Sequence, residues 1–521
     1  MIYSYIFAKL KVRGDGVLTV PVSSQFDQKL SSSPEEQNQH FGVGARVFQN
    51  TVVLLSGRGA GLLLSAATSV VLARYLGRER LGEYGALYAY LTLFTWLATF
   101  GLESVLAREA AQRRLEASSI FFTGSAISLV FATVGTGLAL LLAPVFGYGG
   151  QLRLLLLLAA IDILVLPSIR LSGIIFQVDM QQWYSVSISL TRQALWLLAV
   201  VLLAMSRAAF LWVILARTGC GLVEAGLILF LTLQRRFLSR PWTFSLVRAR
   251  QLIRYGFPVA LSVVAVGIYH RIDQVMLHKI ANDQALGPYV VAVQLVEQLS
   301  VLPVALISSL FPVLSQMSGQ DEQFRHYLGV SYRFLMAVVF AVCAVFSPIA
   351  GPLVDFFYGK QFHSSAPLLV VLVWSEVPIF FGVVITNAII AKNLQRYLPV
   401  STVLGAVVNV VLNLFFIPRW GALGASWATV VSYCLASIFF FLGIRQTRAF
   451  AVQGLRIAFP PFVLALGITV VLTFLPWFFW WKLLFAAVSF CTGAWLTGTV
   501  RRSELERVLG LIRTSSRYAP S

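Results

Sequence analysis

Five stretches of this chain, residues 117–152, 334–354, 397–418, 420–444 and 457–481, contain no Asp, Glu, Lys or Arg and consist of apolar and small residues. Each is long enough to cross a hydrocarbon core about 30 Å thick, which takes roughly 20 helical residues. In lipid such a segment satisfies its backbone N–H and C=O groups only as a helix or in a closed barrel. Barrel strands alternate apolar and polar residues in segments of about ten, and these runs do not alternate. Only 12% of the residues are charged, 58% are hydrophobic and the mean hydropathy is +0.80, which leaves little sequence for a packed soluble domain.

Allowing one or two charges per span, the sequence predicts an all-α polytopic membrane protein of about fourteen transmembrane helices. They fall near 47–73, 84–104, 119–145, 152–176, 184–206, 209–233, 252–279, 286–316, 328–350, 366–390, 397–418, 421–443, 457–478 and 482–500. Short loops rich in Lys and Arg stay cytoplasmic. With the first residue inside, most of the 40 Lys and Arg fall in the tails and inner loops, so both termini are expected in the cytoplasm.

The net charge of +19 is spread over many inner loops rather than gathered on one surface. That pattern fits topology and contact with anionic membrane lipids, and it argues against nucleic acid as a partner. Residues 1–45, with Ser31, Ser32, Ser33, Pro34, Glu35 and Glu36, read as a polar, disordered cytoplasmic tail. They do not read as a signal peptide, because the apolar patch 2–8 is too short. At the other end, Leu505, Val508, Leu509 and Ile512 recur at helical spacing among arginines, so 501–521 reads as a basic amphipathic tail on the inner leaflet. Cys220, Cys343, Cys434 and Cys491 all fall in apolar spans without ligand spacing and are read as small packing residues; no metal or cofactor is expected.

An internal echo suggests how the spans are organised. Leu81, Gly82, Glu83 and Tyr84 follow the first span, and Leu286, Gly287, Pro288 and Tyr289 follow the seventh, 205 residues later. Two homologous six-helix bundles related by an axis along the membrane normal place such turns at corresponding positions. The expected organisation is a bundle at 46–234, a basic linker at 235–251, a pseudo-symmetric bundle at 252–444 and two additional helices in 445–500.

Charges inside spans are the candidate functional residues. An arginine near the bilayer centre costs at least about 2.5–3.5 kcal/mol on insertion scales, so it usually lines a polar interior or a transport path. Arg58 lies midway along the first span between Gly57 and Gly59, small residues that permit close backbone approach; it either lines a cavity or pairs with an acid to hold helices together. Arg271 and Asp273 share the seventh span, but residues two apart on a helix do not face one another, so one is expected toward a cavity and the other toward a neighbouring helix. Arg217 and Glu224 are expected along one polar stripe of the sixth span, and Arg192 is close enough to the cytoplasmic end to snorkel to the interface. Asp162, Glu297 and Glu376 are candidates either to bind a coupling H+ or Na+ or to pair with these arginines. Asn409 and Asn413, one turn apart, are candidates for sugar hydroxyls or for helix-to-helix hydrogen bonds. Together, Arg58, Arg271, Arg217 and Arg192 point to an anionic cargo.

The segments GRGAGLLLSAATSVVLARYLGRERLGEY, FGLESVLAREAA, IDQVMLHKIANDQALGPYVVAVQLVEQL and NVVLNLFFIPRWGALGASWAT resemble the polysaccharide-biosynthesis flippases of the multidrug/oligosaccharidyl-lipid/polysaccharide exporter superfamily, and the likeness runs from about residue 44 to 500. The resemblance implies alternating access that carries a polyprenyl-diphosphate-linked oligosaccharide or polysaccharide repeat unit across a bacterial cytoplasmic membrane. It also implies a basic residue of the first helix, here Arg58, in the central cavity, and transient contact with other polysaccharide assembly proteins. Guanidinium suits that cargo, because it forks onto phosphate oxygens and stays ionised where hydration is poor. Two alternatives remain. A cation-coupled multidrug exporter of the same superfamily is disfavoured by arginines that repel a cationic cargo. A membrane polysaccharide polymerase or ligase is disfavoured because the longest outer connection, about 351–366, is short for binding an acceptor. No P-loop is present, and the chain is not read as an enzyme.

Overall fold

The computed structural model describes residues 11–12, 18–19, 34–235, 237, 242–475 and 479–496. Apart from a two-residue antiparallel pairing of Lys11–Val12 with Leu18–Thr19, these residues form helices joined by short turns. In chain order they are α1 Pro34–Thr99, α2 Leu102–Gln112, α3 Ala117–Leu142, α4 Gly150–Ala159, α5 Ile161–Leu164, α6 Leu166–Ser172, α7 Ile175–Val178, α8 Gln182–Met205, α9 Phe210–Gln234, α10 Leu246–Ile280, α11 Asp283–Leu299, α12 Val301–Gln316, α13 Asp321–Tyr358, α14 Ser365–Val373, α15 Glu376–Ala391, α16 Tyr397–Cys434, α17 Phe440–Gly443, α18 Arg445–Phe474 and α19 Phe479–Leu496. A π-helical stretch, Leu435–Phe439, joins α16 to α17. The all-helical membrane fold read from the sequence is the one observed. Of the tail read as disordered at 1–45, residues 34–45 form the start of helix α1 instead; the rest, apart from the short strand pairing, lies outside the described residues, as does the amphipathic tail 501–521.

Among the described residues, eleven stretches are long and apolar enough to cross a membrane, and a shorter apolar helix spans Phe479–Gly493. The difference from about fourteen has a local cause. Ser56–Gln112 and Tyr397–Gly443 each hold two of the expected spans, and in each two helices meet at a kinked glycine with no loop between them. Gly77 takes φ 70° and Gly421 takes φ 55°, non-helical values that only glycine adopts freely.

Helix α3 shows how membrane packing follows from the sequence. Its buried positions are mostly small or hydroxylated, including Thr123, Gly124, Ser128, Ala132, Gly135 and Ala139. Its large side chains, Leu129, Val130, Val134 and Leu141, stay exposed. Lipid tails are as apolar as Leu, so small residues that allow close backbone approach mark the protein-facing side. Ser128 Oγ donates to the Ala98 carbonyl across 3.0 Å, and Ser125 Oγ donates to the Ser168 carbonyl across 2.9 Å.

The described residues divide into two compact units: those up to 68 with 91–264, and 69–90 with 265–496. The core of unit 1 joins Phe100, Leu106, Phe121, Leu171, Phe176 and Tyr184. Unit 2 is centred on the fully buried rings of Tyr289, Tyr332, Tyr358, Phe340, Phe380 and Phe381. The borrowed segment 69–90 is fastened into unit 2 by polar contacts. Ser69 Oγ meets Gln294 Oε1 at 2.5 Å and the Tyr358 hydroxyl at 3.0 Å. Arg74 donates from Nε to the Phe357 carbonyl (2.7 Å) and from Nη2 to the Phe356 carbonyl (2.6 Å), capping the C-terminus of α13, where carbonyls lack partners within the helix and a cation complements the helix dipole. Arg74→Ala is expected to destabilise the protein by about 1 kcal/mol, a discounted value for charged hydrogen bonds at an exposed site. Thermal unfolding in detergent checks this, with Arg74→Lys recovering part of the loss.

The two copies of the echo lie against each other inside unit 2. A Cβ on Gly82 would stand 2.0 Å from the Asp283 carbonyl oxygen, and one on Gly287 would stand 2.0 Å from the Arg78 carbonyl oxygen. Asp283 lies 205 residues after Arg78, as Gly287 does after Gly82, so the contact is self-complementary in the manner of a two-fold interface. At Gly85 a Cβ would stand 2.3 Å from Val290 Cγ2, the residue 205 later, which places the local two-fold axis between them.

Candidate functional site

In unit 1 the charged side chains come from broken and continuous helices together. Pro167 stands at the start of α6, and the stretch 150–178 is divided into α4 to α7. Irregular backbone at membrane depth is tolerated where protein buries it or where it lines a polar interior. The breaks bring Arg170 to Glu224 on α9: Arg170 donates to Oε2 of Glu224 from Nε (2.9 Å) and Nη2 (2.6 Å). Arg192 Nε on α8 stands 3.3 Å from Oε1 of the same carboxylate. Glu224 therefore bridges two guanidiniums that remain 43% and 33% exposed.

Arg217 stands about two turns before Glu224 on α9, its guanidinium carbon 6.0 Å from the centroid of the Trp196 ring, the outer limit for a cation–π contact. Asp162 sits beside Thr218, within the field of Arg217, Arg170 and Arg192. The helix carrying Arg58 reaches α8 through glycines: a Cβ on Gly57 would stand 2.2 Å from Val186 Cγ1, and one on Gly61 would stand 3.2 Å from Gln193 Nε2. Arg58 thus flanks the face that packs on the helix of Arg192.

Arg217 and Glu224 share α9 seven residues apart, and the carboxylate of Glu224 meets Arg170 and Arg192 from other helices. Arg192, read as close enough to the cytoplasmic end to snorkel, meets that carboxylate. One expectation changes: Gly61 rather than Gly59 makes the second close contact, since nothing lies within 4 Å of a Cβ on Gly59.

In unit 2, Arg271 pairs with Glu297 of α11 through two contacts, Nη1 to Oε1 at 2.9 Å and Nη2 to Oε2 at 3.3 Å. This is the matched fork of guanidinium on carboxylate, and both side chains stay accessible, 29% and 36%. Asp273 makes its hydrogen bonds outside this pair: its Oδ1 accepts from the Gln274 amide at 2.7 Å, and its Oδ2 accepts from the Tyr289 hydroxyl. His270 is exposed and its Nδ1 stands 3.4 Å from the Tyr433 hydroxyl, while the Tyr433 ring lies 4.4 Å from that of Tyr269.

Glu376 is fully buried at the start of α15. The break at Ser300 between α11 and α12, inside one expected span, turns the Ser300 hydroxyl to donate to its Oε1 at 2.7 Å. Among the described residues its Oε2 has no hydrogen-bond partner. Asn409 and Asn413 are also fully buried, and they bond to each other (3.0 Å) and to Ser432 (3.1 Å), which is internal packing chemistry. Sequence reasoning missed Arg170, His270, Tyr433 and Ser300; the signal for Arg170 was Pro167, which shortens the helix and draws an apparently terminal arginine inward.

The two charged clusters differ. In unit 1, Arg170, Arg192 and Arg217 stand around two carboxylates, Asp162 and Glu224, and Arg58 flanks the helix of Arg192. In unit 2, one arginine, Arg271, and three carboxylates, Asp273, Glu297 and Glu376, act together on Tyr433; the spans of unit 2 also carry Lys279, Arg333 and Lys482.

A multi-pass helical membrane protein with charged clusters inside its spans is the class that this fold and these sites define. The model of the polysaccharide biosynthesis protein family matches residues 47–318, and the MatE model matches 258–415. The first match covers over half of the chain, and the chain belongs to the polysaccharide biosynthesis family, a flippase family of the MOP superfamily. It is 26% identical over 215 residues to the lipid II flippase MurJ of Bacillus subtilis, covering 39% of this chain and 40% of that one. It is 24% identical over 393 residues to the probable low-salt glycan biosynthesis flippase Agl15 of Haloferax volcanii, covering 73% and 79%. Its fold matches a lipid II flippase MurJ in an inward closed conformation, with a TM-score of 0.68 and 14% identity over 86% of this chain and 98% of that one. It also matches an inward-facing MATE multidrug transporter, with a TM-score of 0.58 and 16% identity over 78% and 99%.

Proposed function

We propose that the chain moves a polyprenyl-diphosphate-linked oligosaccharide or repeat unit from the inner to the outer leaflet of a bacterial cytoplasmic membrane by alternating access, with both termini in the cytoplasm. The observation that carries this reading is the arginine excess in the spans of unit 1. A diphosphate crosses hydrocarbon only when paired, and Arg58, Arg192 and Arg217 with Arg170 supply guanidiniums whose charge two carboxylates do not balance. The names of the relatives, a lipid II flippase and a glycan flippase, support the same cargo class.

Driving force follows from charge. Moving two negative charges outward through an inside-negative potential releases about 2.3 kcal/mol per charge per 100 mV, so the potential alone favours release outside, while Glu376 and Asp273 remain the candidates for an H+ or Na+ that resets the empty carrier. The second reading, a cation-coupled multidrug exporter, draws on the MatE match and on the three acids clustered with Arg271 in unit 2; the arginines of unit 1 oppose it.

Reconstitution into sealed liposomes with a fluorescent polyprenyl-diphosphate oligosaccharide tests the proposal. The expected result is faster exposure of inner-leaflet sugar to an added impermeant glycosidase than in empty liposomes. No acceleration, with ion-driven uptake of a cationic dye instead, would support the exporter reading.

A further inference from the structure

We infer that the cluster His270, Arg271 and Glu297 in unit 2, with Tyr269 beside it, is a binding site for the uncharged sugar of the lipid-linked substrate. This inference rests on the flippase reading above and adds which residues take the sugar.

Three observations carry it. First, Arg271 is already matched: its guanidinium meets both oxygens of Glu297, and Asp273 acts on it as well. A diphosphate would have to displace a carboxylate that is held by two contacts, in a field set by three acids and one arginine. That arrangement selects against anions. Second, the same pair leaves guanidinium donors and carboxylate acceptors accessible side by side, and the exposed imidazole of His270 adds a group that donates at one nitrogen and accepts at the other. Sugar hydroxyls, each both donor and acceptor, need this mixed set, whereas phosphate oxygens need donors only. Third, the half-buried Tyr269 ring lies 6.0 Å from the His270 ring and is backed by the buried Tyr433 ring at 4.4 Å. The C–H faces of a pyranose carry partial positive charge and pack on the negative face of an aromatic ring. A neutral polar pair next to aromatic rings suits a glycan and gives an anion no advantage.

The test uses the full chain in liposomes with two probes, a polyprenyl diphosphate bearing a fluorescent oligosaccharide and the same polyprenyl diphosphate without sugar, followed with an impermeant glycosidase and an impermeant phosphatase. The readout is the ratio of the two flipping rates. His270→Ala and Glu297→Gln are expected to lower the ratio of sugar-bearing to bare lipid about tenfold, and Arg217→Ala to slow both lipids while holding the ratio within about twofold. His270 is exposed, so its variant keeps the measurement available if loss of the Glu297 carboxylate impairs folding. If the parental protein moves both lipids and His270→Ala and Glu297→Gln leave the ratio unchanged, the sugar site is wrong while the flippase reading stands. If the parental protein moves neither lipid, both fail.

Discussion

Arg58→Ala and Arg217→Ala should each reduce movement of a polyprenyl-diphosphate lipid by at least about tenfold, and the pair should abolish it. A hydrogen bond to a charged group is worth about 1.5–3 kcal/mol, and 1.4 kcal/mol is a factor of ten. The effect is expected in transport more than in stability for Arg217, because the carboxylate of Glu224 is engaged by Arg170 and Arg192 and stays paired when Arg217 is truncated. Lysine replacements should keep part of the activity, since they keep the charge and lose the fork. Glycosidase-accessibility rates in liposomes, with thermal unfolding of each variant alongside, check the expectation. Parental rates from both alanine variants would remove unit 1 as the diphosphate site.

The second large effect is steric. Gly82→Ala and Gly287→Ala each place a methyl 2.0 Å from a backbone carbonyl oxygen, and neither carbonyl can swing aside as a side chain would. Overpacking typically costs 1–3 kcal/mol, occasionally more, and the two-fold relation of the sites predicts similar losses for the two variants. Gly467→Ala is the control: nothing lies within 4 Å of its Cβ position, and alanine in a helix is favoured over glycine by roughly 1 kcal/mol. Thermal unfolding should therefore drop for the first two and hold or rise for the third. Equal behaviour of all three would mean that the turns are not packed as described.

Much of this was legible in the sequence, for physical reasons. Residues 117–152 carry no charge, and a chain that long and apolar has few ways to satisfy its backbone in lipid, so helix and membrane followed directly. The echo of Leu81 and Gly82 in Leu286 and Gly287 marked a repeat. It did not disclose that the copies touch, because a self-contact depends on where the symmetry axis falls and not on which residues recur. Intramembrane charge identified Arg58, Arg192, Arg217, Arg271 and the acids as the residues of interest; their pairing stayed hidden. Glu224 has an arginine seven residues earlier on its own helix, yet it bonds to two on other helices, one of them Arg170, displaced by the breaks around Pro167. Periodicity describes one helix at a time, and ion pairs between helices depend on how the helices are set against each other.

The placement of residues 69–90 bears on how the protein is made. This segment is synthesised about 200 residues before Asp283 and Gly287, against which it finally packs. At roughly 5–20 residues per second the ribosome needs on the order of 10–40 s to deliver those partners. Over that interval the first hairpin of the chain sits in the bilayer with the backbone around Gly82 uncovered and Arg74 without the α13 carbonyls that it will cap. A gene divided within the basic linker should accordingly yield two fragments of which the later cannot complete its own core, and only their joint expression should restore it.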